Sequence, residues 1–224
     1  MRNIFGILLL VCNLVSYSQE DSYQIQLKNL EQKLNETDQE GLKISIYKEI
    51  ITISFPGHLD HIISSCTELN NLSVRLNNAD AMAFANFYLG EYYFTSEDFE
   101  NAEQYYLKSL EIYTSLENVS QLIHLNHYLG LSNQYLNKYE EALSYYQNAI
   151  KLAESIGNTE RKARTYHCIG TLYNDLQKYS LAQDYYNRAL KIYTETRNKE
   201  RRRKDIKKGC VKRGIFFFGR NLLS

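Results

Sequence analysis

The stretch Ala79–Asn118 reads ADAMAFANFYLGEYYFTSEDFENAEQYYLKSLEIYTSLEN, and Val119–Asn158 and Thr159–Asn198 repeat its pattern position for position. Leu89-Gly90 recurs as Leu129-Gly130 and Ile169-Gly170. Nine residues beyond each glycine stand Phe99, Tyr139 and Tyr179, followed by Ala102, Ala142 and Ala182. The doublets Tyr105-Tyr106, Tyr145-Tyr146 and Tyr185-Tyr186 come next, then Ser109, Ala149 and Ala189, and then Leu110, Ile150 and Leu190. Asn78, Asn118, Asn158 and Asn198 close the units at the same period of 40 residues. Such self-similarity marks an array whose units cover one another's apolar faces.

Within a unit the spacing is helical. Phe99, Ala102, Tyr106, Ser109, Leu110 and Tyr113 share one helix face, and Phe87, Gly90, Tyr93 and Phe94 form a second stripe. Between them Thr95-Ser96-Glu97-Asp98 makes a link in which Ser96 or Thr95 is expected to cap the next helix. Each unit is therefore a helical hairpin. The small residues Gly90, Gly130 and Gly170 on the first helix, and Ala102, Ala142 and Ala182 on the second, let two backbones approach while Tyr and Phe interlock around them. The tyrosines are expected in the core and between repeats, with their hydroxyls reaching the rim.

Composition agrees. The 224 residues contain 20 Tyr, 9 Phe and no Trp, and one proline, Pro56, where roughly 11 are expected at about 5% usage. Lys plus Arg equals Asp plus Glu at 26 each, which disfavours a uniformly basic nucleic-acid binder. The balance hides an asymmetry: from Arg197 onward there are 11 basic and 2 acidic residues, leaving 15 basic and 24 acidic before it. No Gly-rich phosphate loop, His-Glu-x-x-His, Cys-x-x-Cys or Gly-x-Ser-x-Gly occurs, so the reading is not an enzyme. The acidic groups of Glu97-Asp98-Glu100 and Glu140-Glu141 fall at helix starts, where negative charge favours the helix dipole.

Residues 1–18 read as an export signal: Arg2, then an apolar run from Ile4 to Val15, then Ser16-Tyr17-Ser18 with small residues before Gln19. That run is shorter than the ~20 residues a membrane span needs. An exported chain, periplasmic or secreted from a bacterium after cleavage near Ser18, is expected. Lipidation at Cys12 and an uncleaved anchor are the weaker alternatives. Cys66, Cys168 and Cys210 are few and far apart, so Cys66 and Cys168 read as buried filler, not a disulfide framework.

These residues resemble the tetratricopeptide repeat, whose Leu-Gly, later Tyr, Ala, large aromatic and Ala match 79–118, 119–158 and 159–198 closely. Gln39–Asn78 resembles a degenerate unit, since Leu59, Ile62, Cys66 and Leu69 precede Phe99, Ala102, Tyr106 and Ser109 by one period; Ile50 replaces the glycine, which predicts looser packing. Residues 19–38, with Leu27, Leu30 and Leu34, read as an amino-terminal capping helix. The chain departs from the family in its period, 40 in place of 34, and at the usual Trp position, which holds Asn86, Asn126 and Tyr166. The longer period resembles the extended variety found in bacterial regulators and sensor regions.

The resemblance implies an all-α fold, a right-handed α-solenoid of antiparallel helical hairpins, with a concave groove lined by the first helices. By that resemblance the inward residues are Phe84, Phe87, Glu91 and Phe94, then His124, His127, Leu131 and Gln134, then Arg164, His167, Thr171 and Asn174. The lining runs from aromatic to polar, which suits a protein or peptide ligand with an apolar end and an acidic or hydrogen-bonding end. Phe87, Glu91, His127 and Leu131 do not provide the Lys and Asn of the family's carboxylate clamp. His124, His127 and His167 lack a carboxylate or Cys at ligand spacing, so no metal site and no cofactor is expected, and a pH-sensitive groove stays an alternative.

After Asn198 the pattern fails. Arg201-Arg202-Arg203-Lys204 and Lys207-Lys208-Gly209-Cys210 replace the small and apolar positions of a first helix. Residues 199–224 read as a basic tail attracted to anionic surfaces, as a capping extension, or as the product of a reading-frame departure near Arg197. An array cut there exposes an apolar face around Tyr186 and Ile192 and favours self-association. The expected function is a non-catalytic protein- or peptide-binding scaffold, with no nucleic-acid partner and no stable membrane span in the mature chain. The alternative is the sensor portion of a signalling protein whose kinase or DNA-binding output domain is missing.

Overall fold

The computed structural model describes residues 20–197 apart from Pro56. The expected signal segment, 1–18, and the basic tail, 199–224, lie outside the described residues. The described chain is all helical: α1 (20–36), α2 (Glu40–Ser54), α3 (Asp60–Arg75), α4 (Ala79–Thr95), α5 (Phe99–Ser115), α6 (Val119–Tyr135), α7 (Tyr139–Ser155), α8 (Thr159–Asp175) and α9 (179–197). None of these helices is long and apolar enough to cross a membrane.

From α4 to α8 every helix has 17 residues. The links between them are built alike. Asn77, Glu97, Glu117, Asn137, Gly157 and Gln177 all carry positive φ, one in each link from α3 to α9. This left-handed residue turns the chain so that freed carbonyls of the last helical turn gain partners. The Asp98 N–H donates to the Tyr93 carbonyl at 2.9 Å and the Glu97 N–H to the Phe94 carbonyl at 3.1 Å. The next residue is already the cap of the following helix. Asp98, not Thr95 or Ser96 as expected, caps α5, accepting from the Asn101 N–H at 3.2 Å. Thr95 ends α4 and Ser96 is its C-cap, because the reversal needs two residues beyond that point. Asn78, Asn118 and Asn158 cap α4, α6 and α8 in the same way.

The chain divides into two compact units, up to Leu136 and from Asn137, a boundary that falls inside the repeat 119–158. In the first unit α1 buries Tyr23, Leu27 and Leu30 against Ile46 and Ile50 of α2. The Tyr23 ring stacks on His58 at 3.5 Å, and its hydroxyl lies 3.2 Å from Ser54 Oγ. Ile50, in the place of the repeat glycine, belongs to this cluster, whereas Ile51, Ile62, Cys66 and Leu69 build the neighbouring core with Ala81 and Ala85. At Gly90 a Cβ would sit 2.5 Å from Cδ1 and Cε1 of the buried Tyr106 ring, so the expected close approach is present. Ser109 seals the same contact, donating to the Ala83 carbonyl at 2.8 Å.

In the second unit Gly170 stands in the same relation to Tyr186, with a Cβ 2.6 Å from the ring. Ala149, Ala153, Ala163, Ala182 and Ala189 are buried. Tyr186 and Ile192 are only half-buried. Tyr179, Leu190 and Tyr193 of α9 are more exposed still.

Candidate functional site

The side chains expected in a groove fall on the first helices of the hairpins, α4, α6 and α8. In the first unit α4 and α6 bring aromatic rings together. Phe84 packs on Tyr88 at 4.6 Å and carries Lys48 Nζ 5.0 Å above its ring. Phe87 contacts Tyr88, Tyr106 and Tyr128 at 5.3–5.9 Å between centroids. Phe94 meets Phe99 at 5.4 Å and Tyr135 at 5.6 Å, and Phe99 stacks on Tyr135 at 4.5 Å. Phe84, Phe87 and Phe94 remain half-buried and Tyr135 is exposed, so this aromatic face is open to solvent. Its edge-to-face geometry holds the rings in place before any ligand arrives.

Glu91 departs from the expectation of an open lining residue. It is 5% exposed, at the floor of the aromatic face. Tyr106 donates its hydroxyl to Glu91 Oε1 at 2.6 Å, and Tyr128 supplies a second phenolic hydrogen bond. Burial pushes the carboxyl up to about 7, while the two phenol donors act in the opposite direction. The Tyr106 hydroxyl thus ends on a buried carboxyl group and not at the rim, and burial together with that acidic neighbour drives its own ionisation far upward. Tyr128 was missed by the sequence reading. Its signal is the recurrence of an aromatic directly before the Leu-Gly pair, Tyr88 and then Tyr128.

His124, His127, Leu131 and Gln134 are half-buried along α6, with His127 edge-on to Tyr128 at 5.6 Å. The second unit is polar at the corresponding places. Arg164 pairs with Glu160 at 3.3 Å, His167 lies 5.2 Å from the Tyr186 ring, and Thr171 Oγ1 donates to the Cys168 carbonyl at 2.7 Å. Asn174 and His167 are exposed. Among the described residues no three His, Cys, Asp or Glu side chains gather as a metal site. Burial raises the Cys66 thiol to about 12 and that of Cys168, which is only half-buried by surface area and lies beside Arg164, to about 11, so both stay protonated at neutral pH.

This fold defines a class, the helical-hairpin solenoids. The family description "Tetratricopeptide repeat" matches residues 85–115 and 120–195. Those residues carry tetratricopeptide repeats, spaced here at a period of 40. No curated protein matches it in sequence. Solved structures match it in fold. A signal transduction ATPase with numerous domains from Pyrococcus horikoshii, which has a tetratricopeptide repeat sensor, superposes with a TM-score of 0.71 at 21% identity over 84% of this chain, but 29% of its own. BtubC (BKLC) from P. vanneervenii gives 0.66 at 18% identity, covering 80% of this chain and 74% of that one. A Rap protein complexed with Competence and Sporulation Factor gives 0.67 at 17% identity, covering 81% and 52%.

Proposed function

We propose that this chain is an exported, non-catalytic scaffold that binds a protein or peptide segment on the first-helix face of α4 and α6. The observation that carries the reading is the solvent-open aromatic face of α4 and α6. Half-buried Phe84, Phe87 and Phe94 beside exposed Tyr135 form a contiguous apolar patch of the kind that marks interaction sites. Apolar and aromatic side chains of a ligand suit this part. In the second unit, taken by itself, Arg164, His167, Thr171 and Asn174 suit acidic or hydrogen-bonding groups. The Rap protein of like fold, in complex with Competence and Sporulation Factor, supports a binding role for such a scaffold.

Selection of a random peptide library on the mature chain tests this. Enriched peptides are expected to carry aromatic or large aliphatic residues, and the triple variant Phe84→Ser, Phe94→Ser, Tyr135→Ser is expected to lose them at least tenfold. Peptides that bind the triple variant equally well, or only through the basic residues after Arg197, overturn the proposal.

A further inference from the structure

Met82, Asn86 and Leu89 lie on the side of α4 opposite Phe84, Phe87 and Glu91, as the helical spacing requires. With Thr67, Asn70 and Val74 of α3, and Tyr105, Lys108, Glu111 and Ile112 of α5, they enclose an open cleft of 520 Å³. Asn86 stands at its base and does not fill it, because its amide turns back along α4 and donates to the Met82 carbonyl at 2.9 Å. Asn70 Oδ1, in the lining, is buried without a hydrogen-bond partner. A buried acceptor left unpaired costs free energy that a donor brought by a ligand recovers.

Two periods later the protein shows what this place accepts. The residue equivalent to Asn86 is Tyr166, whose ring lies 6.0 Å from Tyr185, with Lys162 Nζ at 5.6 Å and the Arg188 guanidinium at 6.0 Å. Tyr105 and Lys108 are the counterparts of Tyr185 and Arg188, and they already pair in the same way: Lys108 Nζ stands 4.5 Å above the Tyr105 ring, as Arg188 stands 5.0 Å above Tyr185. The cleft therefore keeps the aromatic and cationic walls of the third repeat and lacks the phenol between them. Val74, Met82, Leu89 and Ile112 add apolar walls, and Thr67 and Glu111 stand among them.

We propose that the cleft between α3 and α5 takes a tyrosine side chain from an extended segment of a partner protein, in the place that Tyr166 fills from within its own hairpin. The ring packs between Tyr105, Lys108 and the aliphatic walls, and a turn of the half-buried Asn70 side chain brings its Oδ1 to accept from the hydroxyl. This site is separate from the first-helix face and stands whether or not that face binds peptide.

Titration of the full mature chain with N-acetyl-tyrosinamide, followed by amide NMR shifts, tests the assignment. Saturable shifts around Asn70, Asn86 and Lys108 are expected, with a dissociation constant on the order of 1 mM for so small a probe. N-acetyl-phenylalaninamide is expected to bind severalfold more weakly and N-acetyl-leucinamide more weakly still. Asn86→Tyr fills the cleft and abolishes the shifts. Asn70→Leu removes the preference for tyrosine over phenylalanine. Lys108→Ala, at an exposed position that does not endanger the fold, weakens the tyrosine probe severalfold. Shifts that stay linear well past the expected constant, equal binding of the leucine probe, or unchanged binding to Lys108→Ala together with a folded Asn86→Tyr overturn the proposal.

Discussion

Repeats 79–118 and 159–198 share their spacing to the residue, yet the same positions are dry in one and wet in the other. Tyr113 is 2% exposed and Tyr193, its counterpart, 41%. Tyr106 is fully buried and Tyr186 half-buried. Glu91 sits under two phenols, while Thr171 at the same place bonds only to its own helix. The first repeat has α6 packed on α5 and α3 packed on α4, whereas α9 is the last described helix of its unit. Spacing decides which side chains share a face; the next hairpin decides whether that face loses its water.

The sharpest test of this contrast is electrostatic. In the folded protein Glu91 holds its proton up to about pH 7, whereas in the unfolded chain it releases it near 4.5. Stability is therefore full below 4.5, falls as pH rises to about 7, and is level above, by on the order of 3 kcal/mol in total. Glu91→Gln keeps the acceptor for Tyr106, and is expected to flatten that slope and to raise stability at pH 8 by a similar amount. Urea unfolding across pH reads both. An unchanged slope in the variant would place the buried charge elsewhere.

Next in size is the pair of close approaches. Gly90→Ala drives a Cβ into the Tyr106 ring, which is enclosed on every side and is expected to cost about 2 kcal/mol. Gly170→Ala makes a clash of the same geometry, but the half-buried Tyr186 can swing outward, so less than about 1 kcal/mol is expected. Equal losses in thermal unfolding would mean that Tyr186 is held as firmly as Tyr106, and the contrast between the repeats would fail at this point.

The smallest effect concerns the links, where the repeats are expected to behave alike. Gly157→Ala puts a side chain at φ +67° and is expected to cost about 1 kcal/mol. Glu117→Gly relieves the same strain at φ 51° and is expected to gain about 0.5 kcal/mol after the entropy of the new glycine. Opposite shifts of the unfolding midpoint check the pair.

Much of the fold was legible in the residues. The Leu-Gly pairs, the Tyr doublets and the alanines named both helices of each hairpin and the close approach between them. The cap was misread because Thr95, Ser96 and Asp98 are all capping residues, and only the hydrogen bonds of the reversed turn select Asp98. The candidate groove was legible as a set of positions, but not as an environment. Glu91 looked like an open lining residue because nothing in its spacing reveals Tyr128, which comes from the next hairpin. The cleft beside Asn86 was visible only as a missing large side chain.

The sequence by itself determined the helices, their pairing and the period, because those follow from contacts within one unit of 40 residues, where spacing and side-chain size suffice. Only the tertiary structure decided which tyrosines are dry, that burial raises the Glu91 carboxyl to about 7, and that a cleft stays open beside Asn86 where, two periods on, Tyr166 stands against Tyr185 and Arg188. Burial is a property of what a neighbouring hairpin covers, and desolvation acts through space between residues that no local pattern connects.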